Sequence, residues 1–207
     1  VPVAAGQAPA RPRPGQPVAL VTGATSGLGR EVARRLAARG MHVIVHGRDR
    51  VRGLEVVAGI EREGKGSARF YAADFASFDQ VRALGQAILG DYDRLDVLVN
   101  NAGFGSAPDE RLLSQDGHEY RFQVNYLAHY LLTRLLLPRL VASAPSRIVN
   151  VSSLAQTPID FDDVMLERGF SGGRAYAQSK LAQVMFTIDL AAELRDRRVA
   201  VTALHPA

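Results

Sequence analysis

The sequence contains no cysteine and almost no lysine, and each shortage narrows the chemistry open to the protein. Without cysteine, the 207-residue chain has no disulfides, thiolate nucleophiles, iron–sulfur clusters or cysteine-based zinc sites. Only Lys65 and Lys180 are lysines among 25 basic residues, so the formal net charge of +4 rests on arginines spread along the chain. Because no segment gathers this charge, we expect no nucleic-acid partner, and the high isoelectric point leaves that function as a weak alternative.

Long apolar runs are also missing. The most apolar region, residues 124–141, is interrupted by four polar residues: Asn125, His129, Arg134 and Arg139. A membrane helix needs about 20 mainly apolar residues, so we expect no membrane span. Residues 1–17 are rich in proline and alanine and have no apolar run of signal-peptide length, which predicts a disordered lead. These features are compatible with a cytoplasmic protein.

Short apolar runs alternate with helical patterns along the rest of the chain. The predicted strands are 18–22, 42–45, 68–72, 97–99, 147–151 and 199–203. Between them, apolar residues recur at helical spacing in three stripes: Leu28, Val32 and Leu36; Val81, Leu84 and Ile88; Leu181, Val184 and Ile188. This alternation predicts one α/β domain over 18–207, a doubly wound Rossmann-type fold with a mostly parallel sheet flanked by helices on both faces. In such a sheet the ligand crevice lies at the carboxyl ends of the strands.

A glycine-rich turn follows the first predicted strand directly and leads into a helix. Its sequence is Thr22-Gly23-Ala24-Thr25-Ser26-Gly27-Leu28-Gly29. Glycines allow a tight turn, and a helix N-terminus offers unpaired N–H groups and a partial positive charge to a pyrophosphate. A glycine turn without a ligand is the alternative, but the position after the first strand favours a dinucleotide. The predicted cofactor-binding residues of this turn are Gly23, Thr25, Ser26, Gly27, Leu28 and Gly29.

The spacing T-G-x-x-x-G-x-G resembles the short-chain dehydrogenase/reductase family, and the resemblance extends from Val18 to Pro206. It includes Asn100-Asn101-Ala102-Gly103 after the fourth strand, which is similar to the family's N-N-A-G. In the family, small residues there let the cofactor pass close to the backbone, which implies binding by Asn101, Ala102 and Gly103. A plain turn would use the same residue types. The resemblance implies an oxidoreductase that moves a hydride between a nicotinamide and a carbonyl or alcohol carbon.

The end of the second strand discriminates between the two nicotinamide dinucleotides. An acid there accepts hydrogen bonds from the ribose 2′-OH of NAD(H), whereas an arginine pairs with the 2′-phosphate of NADP(H). Here no acid precedes Arg48, which favours NADP(H). NAD(H) stays an alternative, because Arg48 is one of many arginines and the neighbouring Asp49 could neutralise it.

The resemblance places the adenine after the third strand. Asp74, followed by Phe75, is similar to the family's acid that hydrogen-bonds the adenine amino group. The alternative is that Asp74 caps the helix that begins near Ser77.

Tyr176 and Lys180 carry the clearest chemistry, because a four-residue spacing puts both on one face of a helix. A free tyrosine ionises near pH ~10, and a fixed positive charge nearby stabilises the phenolate. The pair Y-x-x-x-K is also common by chance on solvated helix faces. Here it follows a strand that ends in Ser152 and Ser153, and its lysine is one of only two.

The resemblance implies a role for each member of a catalytic group. Tyr176 is the general acid and base, Lys180 also holds the nicotinamide ribose, Ser153 hydrogen-bonds the substrate oxygen, and Asn125 holds a water of the proton relay. Either serine could simply end a strand, and Asn125 could satisfy local backbone groups. The five histidines form no metal-ligand spacing such as H-E-x-x-H, so we expect no metal.

Two features set the chain apart from the plainest family members. An insertion, 156–174, resembles the retinol-dehydrogenase-like and WW-domain-oxidoreductase-like branch, as does Val149-Asn150-Val151-Ser152-Ser153-Leu154-Ala155. Its apolar residues either line a pocket for an apolar substrate or form a small cluster in a surface loop; they are Phe161, Val164, Met165 and Phe170.

The family pattern continues beyond His205-Pro206-Ala207 with a substrate lid and a last strand, which the sequence lacks. The chain is therefore expected to be either a piece of a longer enzyme or a non-catalytic dinucleotide sensor or scaffold. The resemblance also implies a homodimer or homotetramer, formed through the helices of 125–141 and 176–194.

Overall fold

A computed structural model describes residues 10–206 of the chain. Within them, a parallel sheet has the strand order β3-β2-β1-β4-β5-β6. The strands are β1 Val18–Val21, β2 His42–Gly47, β3 Ser67–Ala72, β4 Val97–Asn100, β5 Ser146–Val151 and β6 Val199–Leu204. The helices are α1 Gly27–Ala38, α2 Arg50–Glu63, α3 Phe78–Asp91, α4 Tyr120–Phe122, a π-helical segment Gln123–Leu127, α5 Ala128–Ala142 and α6 Gly172–Glu193. The predicted doubly wound α/β fold is confirmed.

The strand order reverses at β1, which places a crevice at the carboxyl ends of β1 and β4. Leu20 of β1 pairs with Ile44 of β2 on one side and with Leu98 of β4 on the other. All the pairs are parallel, so every strand ends at the same edge of the sheet. In a sheet of this kind, ligands bind where the direction of winding changes.

An apolar core covers each face of the sheet. One core includes Leu20 and Ile44 and packs against α3, α5 and α6. The other includes Val21 and Val43 and packs against α1 and α2. Because neighbouring residues of a strand point to opposite faces, burial on both faces explains why the strands are almost uniformly apolar.

The predicted apolar stripe is confirmed in α3, where Val81, Leu84 and Ile88 are fully buried. In α1 the prediction is wrong at Leu28, whereas Val32 and Leu36 are partly buried and pack against the core. Leu28 is 42 % exposed, and the buried residues of α1 are Gly29, Ala33 and Ala37. Small side chains on that face let the helix approach the sheet closely, which a search for large apolar residues does not detect.

The predicted stripe of α6 is only partly correct, since Leu181 and Val184 are half-buried and Ile188 is not. Ile188 is 64 % exposed, and the apolar residues that α6 buries deepest include Ala182 and Leu190. Gln183 and Thr187 are buried beside them. The inward face of α6 is therefore partly polar, so hydrophobic periodicity alone places it incorrectly.

The predicted disordered lead is only partly described, because residues 1–9 lie outside the described part of the chain. Its last residues are ordered, which corrects the prediction there. Gln16 is 6 % exposed and donates a hydrogen bond to the Gly40 carbonyl oxygen at 2.8 Å. The Arg13 guanidinium donates to the Lys65 carbonyl oxygen. None of the helices within residues 10–206 is long and apolar enough to cross a membrane.

Three histidines are buried in the sheet and the helix that covers it: His42, His46 and His129. His42 lies far from the crevice, between the Ser67 hydroxyl at 2.8 Å and the Tyr92 hydroxyl at 3.1 Å. Burial, with a smaller effect of the Arg69 charge, lowers the pKa of His42 to about 4. The folded protein therefore keeps this side chain neutral where an unfolded chain would protonate it.

We predict that His42 contributes to acid destabilisation between pH ~6.5 and about 4. In this window the unfolded state binds a proton at His42 and the folded state does not, so the free energy of unfolding falls as the pH falls. Urea unfolding at pH 7 and 4.5 should show a loss smaller by on the order of 2 kcal/mol in His42→Gln than in the wild type. The matched control, the exposed His205→Gln, should lose as much as the wild type. An equal loss in His42→Gln would contradict the assignment.

Candidate active site

A cleft of about 330 Å³ opens at the carboxyl edge of the sheet. Twelve residues that the sequence assigns to the dinucleotide line it: Gly23, Thr25, Ser26, Gly27, Leu28, Gly29, Arg48, Asp74, Phe75, Asn101, Ala102 and Gly103. The cleft thus brings together the glycine turn after β1, the ends of β2 and β3, and the turn after β4.

The N-terminus of α1 faces this cleft with its amide groups uncapped. Ser26 occupies the N-cap position but makes no side-chain hydrogen bond to the first turn. The first turn of α1 contains no acidic residue. Free amides and the positive end of the helix dipole form a site suited to a pyrophosphate.

The glycine turn also packs directly against the turn that follows β4. A Cβ atom on Gly29 would overlap the Gly23 carbonyl oxygen and the Asn101 side-chain nitrogen. A Cβ atom on Gly23 would lie 2.7 Å from the Ala102 Cα atom, and Gly23 has a φ of +64°. Both positions therefore require glycine, because a side chain at either one would separate the two turns.

Thr22 joins the two turns by hydrogen bonds. Its buried hydroxyl oxygen accepts from the Asn101 amide at 2.9 Å and from the Ala102 amide at 3.0 Å. The Asn101 side-chain nitrogen donates to the Thr22 carbonyl oxygen at 2.9 Å. The turns after β1 and β4 thus form one rigid unit.

Two buried histidines, His46 of β2 and His129 of α5, form hydrogen bonds to this unit. The His129 Nδ1 atom lies 2.8 Å from the Asn125 carbonyl oxygen, and because a carbonyl oxygen can only accept, Nδ1 must carry the proton. The Nε2 atom of the neutral ring then accepts from the Thr22 hydroxyl at 3.1 Å. By the same reasoning His46 Nε2 donates to the Ala73 carbonyl oxygen, and its Nδ1 accepts from the Gly23 amide. Burial lowers the pKa of His46 to about 4 and that of His129 to about 3, so both act as neutral hydrogen-bonding groups.

Arg48 lies at the end of the cleft formed by β2 and β3. Its guanidinium donates to the Tyr120 hydroxyl at 2.9 Å and is 3.9 Å from the Asp74 carboxylate, and its side chain is 61 % exposed. Asp49 does not neutralise it. The Asp49 carboxylate instead accepts from the Arg52 amide, caps α2 and pairs with the Arg52 guanidinium. The Arg48 guanidinium therefore lies at the rim of the cleft, with Asp74 and not Asp49 as its carboxylate neighbour.

Asp74 does not cap α3, because Ser77 occupies that position and accepts from the Gln80 amide. One Asp74 oxygen accepts from the Ala76 amide at 3.0 Å. The other lies toward Arg48. Asp74 thus holds a local turn while its carboxylate borders the cleft.

Tyr176 and Lys180 lie on α6 with the lysine ammonium 5.7 Å from the centroid of the tyrosine ring. Lys180 is 4 % exposed, and its ammonium lies 3.8 Å from the position that a Cβ atom on Gly103 would take. Burial lowers the pKa of Lys180 to about 8. The pair therefore adjoins the end of the cleft formed by the turn after β4.

The two serines after β5 have different environments. Ser152 is buried and its hydroxyl donates to the Lys180 carbonyl oxygen at 2.9 Å, so it is committed to holding α6. Ser153 is partly exposed, and its hydroxyl oxygen accepts only from the Ala155 amide among the described contacts. Its hydroxyl hydrogen is free to bind a ligand, which favours Ser153 over Ser152.

Asn125 is fully buried in the π-helical segment, and its side chain binds protein groups. Its oxygen accepts from the Phe104 amide at 2.7 Å, and its nitrogen donates to the Phe104 carbonyl oxygen and to the Ser179 hydroxyl. The Asn125 side chain thus joins the π-helical segment to the loop after β4 and to α6, and its partners are not local backbone groups. A π-helical turn at this position is typical of functional sites.

The insertion, 156–174, forms a loop in which some apolar residues are exposed and others are buried. Phe161 is 74 % exposed, whereas Leu166, which the sequence did not single out, is 1 % exposed. The loop is tied down by a hydrogen bond from the Gln178 side chain to the Val164 carbonyl oxygen and one from Arg111 to the Met165 carbonyl oxygen.

Several lining or supporting residues of the cleft were not predicted: His46, Gly47, Phe104, Tyr120 and His129. The signal for the histidines was a polar residue within a mostly apolar strand or helix. Phe104 and Tyr120 carry no such signal, since their edge-to-face contact at 5.0 Å joins distant segments. No group of three or more potential metal ligands occurs within residues 10–206.

Comparison with known proteins agrees with this geometry. The family model described as short chain dehydrogenase matches residues 17–207. Human retinol dehydrogenase 14 is 42 % identical in an alignment 203 residues long, and the alignment covers 90 % of this chain and 60 % of that protein. Mouse retinol dehydrogenase 13 is 43 % identical over 99 % of this chain and 62 % of its own length. The chain thus spans about three fifths of these relatives.

Solved structures show the same arrangement of elements. A metagenomic short-chain oxidoreductase in complex with NADP is 32 % identical, with a TM-score of 0.77 over 92 % of this chain and 82 % of that one. A short-chain dehydrogenase from Sphingobium yanoikuyae in complex with NADPH is 28 % identical, with a TM-score of 0.77 over 92 % of this chain and 70 % of that one. The chain belongs to the short chain dehydrogenase family, in its retinol-dehydrogenase-like branch.

Proposed function

We propose that the protein is an NADP(H)-dependent oxidoreductase that interconverts a carbonyl and an alcohol, with Tyr176 as general acid and base. The observation that carries the proposal is the Lys180 ammonium beside both the Tyr176 ring and Gly103 of the cleft. This contact supports proton transfer by the Tyr176 phenol at the end of a cleft whose residues suit a dinucleotide.

The residues of the cleft fit a nicotinamide dinucleotide. Gly23 and Gly29 let the turns after β1 and β4 pack together at the cleft, and the uncapped N-terminus of α1 would bind the pyrophosphate. Asp74 borders the place for the adenine, and Lys180 would hold the nicotinamide ribose. When bound, the nicotinamide supplies or accepts a hydride.

The chain's own residues would handle the proton and the substrate oxygen. Ser153 would donate its free hydroxyl hydrogen to the substrate oxygen. Tyr176 would give a proton to that oxygen during reduction and take it back during oxidation. The charge of Lys180 favours the phenolate form of the tyrosine side chain.

We predict that Tyr176→Phe loses at least about 100-fold in turnover and keeps its affinity for NADPH, because only the proton donor is removed. The measurement is the loss of absorbance at the reduced-nicotinamide band with a panel of apolar aldehydes and ketones. Tyr130→Phe, a partly exposed tyrosine of α5, is the matched control and should keep full turnover. Equal turnover in Tyr176→Phe and the wild type would overturn the role of Tyr176. NADPH binding without turnover of any substrate in the wild type would support a sensor or scaffold instead.

Arg48 supports the preference for NADP(H), since Asp49 is occupied by Arg52 and the guanidinium stays available at the rim. The two structures named above that contain NADP or NADPH add to this support. A 2′-phosphate would replace the neutral Tyr120 hydroxyl as the partner of Arg48 with a charged acceptor.

We predict that Arg48→Ala weakens NADPH binding by about 10- to 100-fold and changes NADH binding little, since a charge-assisted hydrogen bond contributes roughly 1.5–3 kcal/mol. Dissociation constants of both dinucleotides, measured by titration calorimetry, check this. Arg62→Ala in the last turn of α2 is the control and should bind both as the wild type does. A similar loss for NADH and NADPH would show that Arg48 does not read the 2′-phosphate.

The substrate we propose is a carbonyl or alcohol with an apolar body. Leu154, which follows Ser153 directly, is 79 % exposed, and Phe161 of the insertion is 74 % exposed. Exposed apolar side chains near a catalytic serine suit an apolar ligand. The named relatives are retinol dehydrogenases, and retinol is an alcohol of this kind.

We also propose that the chain forms a homodimer or homotetramer through α5 and α6. The outer faces of these helices expose Tyr130, Met185 and Ile188. Such apolar residues on helix faces suit a contact with another copy of the chain.

A further inference from the structure

The ammonium of Lys180 is held by two oxygen atoms in the interior. It donates to the Val151 carbonyl oxygen at 2.9 Å and to the Gln183 side-chain oxygen at 3.0 Å. Gln183 follows Lys180 by three residues on α6, so both side chains lie on the same face of the helix. Gln183 is 2 % exposed, which means that water does not replace this contact.

We infer that Gln183 is a positioning residue for Lys180: its amide oxygen fixes the ammonium beside Gly103 and leaves one N–H for the ligand. An ammonium group has three N–H donors, and two are used by Val151 and Gln183. This inference rests on the proposed function for its consequence in catalysis, but the contact itself does not.

The orientation of the Gln183 amide supports this role, although it leaves the side-chain nitrogen without a hydrogen bond. Lysine can only donate, so the oxygen of Gln183 must face it, and the Gln183 side-chain nitrogen is then buried with no hydrogen-bond partner among the described residues. A buried donor without a partner destabilises the folded state, because it loses its hydrogen bonds to water and gains none in the protein. The protein tolerates this destabilisation at a residue whose oxygen binds the lysine.

A chain of polar contacts connects Gln183 to the sheet. The Thr187 hydroxyl donates to the Gln183 carbonyl oxygen at 2.7 Å and accepts from the Asn150 side chain at 2.8 Å. The Asn150 oxygen accepts from the Asn100 side chain at 2.8 Å. The position of Gln183 is therefore set by β4 and β5 as well as by its own helix.

Few charged or titratable groups face Lys180. Tyr176 approaches from α6, and His129, which burial keeps neutral, approaches from α5. Among residues 10–206, no carboxylate forms an ion pair with Lys180, so the Gln183 oxygen is its side-chain acceptor. Burial already lowers the pKa of Lys180 to about 8. Loss of this acceptor should lower that pKa further, and a carboxylate in its place should raise it.

The chain has two lysines, which makes a direct test practical. The ¹³Cε resonances of Lys65 and Lys180 are titrated by NMR in the wild type, in Gln183→Met and in Gln183→Glu. Methionine has nearly the shape of glutamine without its oxygen, and glutamate keeps the oxygen and adds a charge. We expect the pKa of Lys180 to fall by about 0.5–1 in Gln183→Met and to rise by at least as much in Gln183→Glu. Lys65, which is exposed, is the internal control and should not change.

A pKa of Lys180 that is the same in all three proteins would overturn the inference. If Gln183→Met does not fold, Gln183→Glu alone decides, because a carboxylate in contact with the ammonium must raise its pKa. The titration needs no substrate or cofactor. A protein without turnover that shows both pKa shifts would therefore contradict the proposed function and leave the positioning role of Gln183 intact.

Discussion

The close contact between the turns after β1 and β4 is the constraint on which the site depends. Thr22 holds the two turns together through its hydroxyl group, and His129 holds that hydroxyl in place. Gly29 can lie against Gly23 and Asn101 only because it has no side chain. The same contact directs the N-terminus of α1 into the cleft, and the turn after β4 ends at Gly103 beside Lys180. One packing arrangement thus sets the position of the uncapped helix N-terminus and of the Gly103–Lys180 contact at the other end of the candidate site.

Much of the fold and of the candidate site could be predicted because local sequence determines it. The strands are short apolar runs, and the glycine turn and the Tyr176–Lys180 pair are local motifs whose chemistry needs particular residue types. The inward faces of α1 and α6 could not be predicted in this way. Small residues such as Ala33 and polar residues such as Thr187 are buried there, so hydrophobicity does not mark those faces.

Contacts between distant segments account for the rest of what the sequence did not reveal. His46 supports the glycine turn from the next strand, and Tyr120 reaches Arg48 across 72 residues of chain. Gln183 lies only three residues from Lys180, yet its role follows from the burial of both side chains, which a motif does not report. Neutral buried groups therefore organise this site more than surface charges do, although arginine dominates the basic residues of the chain.

Binding of a nicotinamide dinucleotide in the cleft between the turns after β1 and β4 can be tested by NADPH titration calorimetry of two matched helix variants. Gly29→Ala places a methyl group against Gly23 and Asn101, whereas Gly59→Ala in α2 adds one where no atom lies within 4 Å. With both variants shown to be folded by circular dichroism, we expect wild-type affinity in Gly59→Ala and a loss of about 100-fold or more in Gly29→Ala. Unchanged NADPH affinity in Gly29→Ala would contradict binding in this cleft.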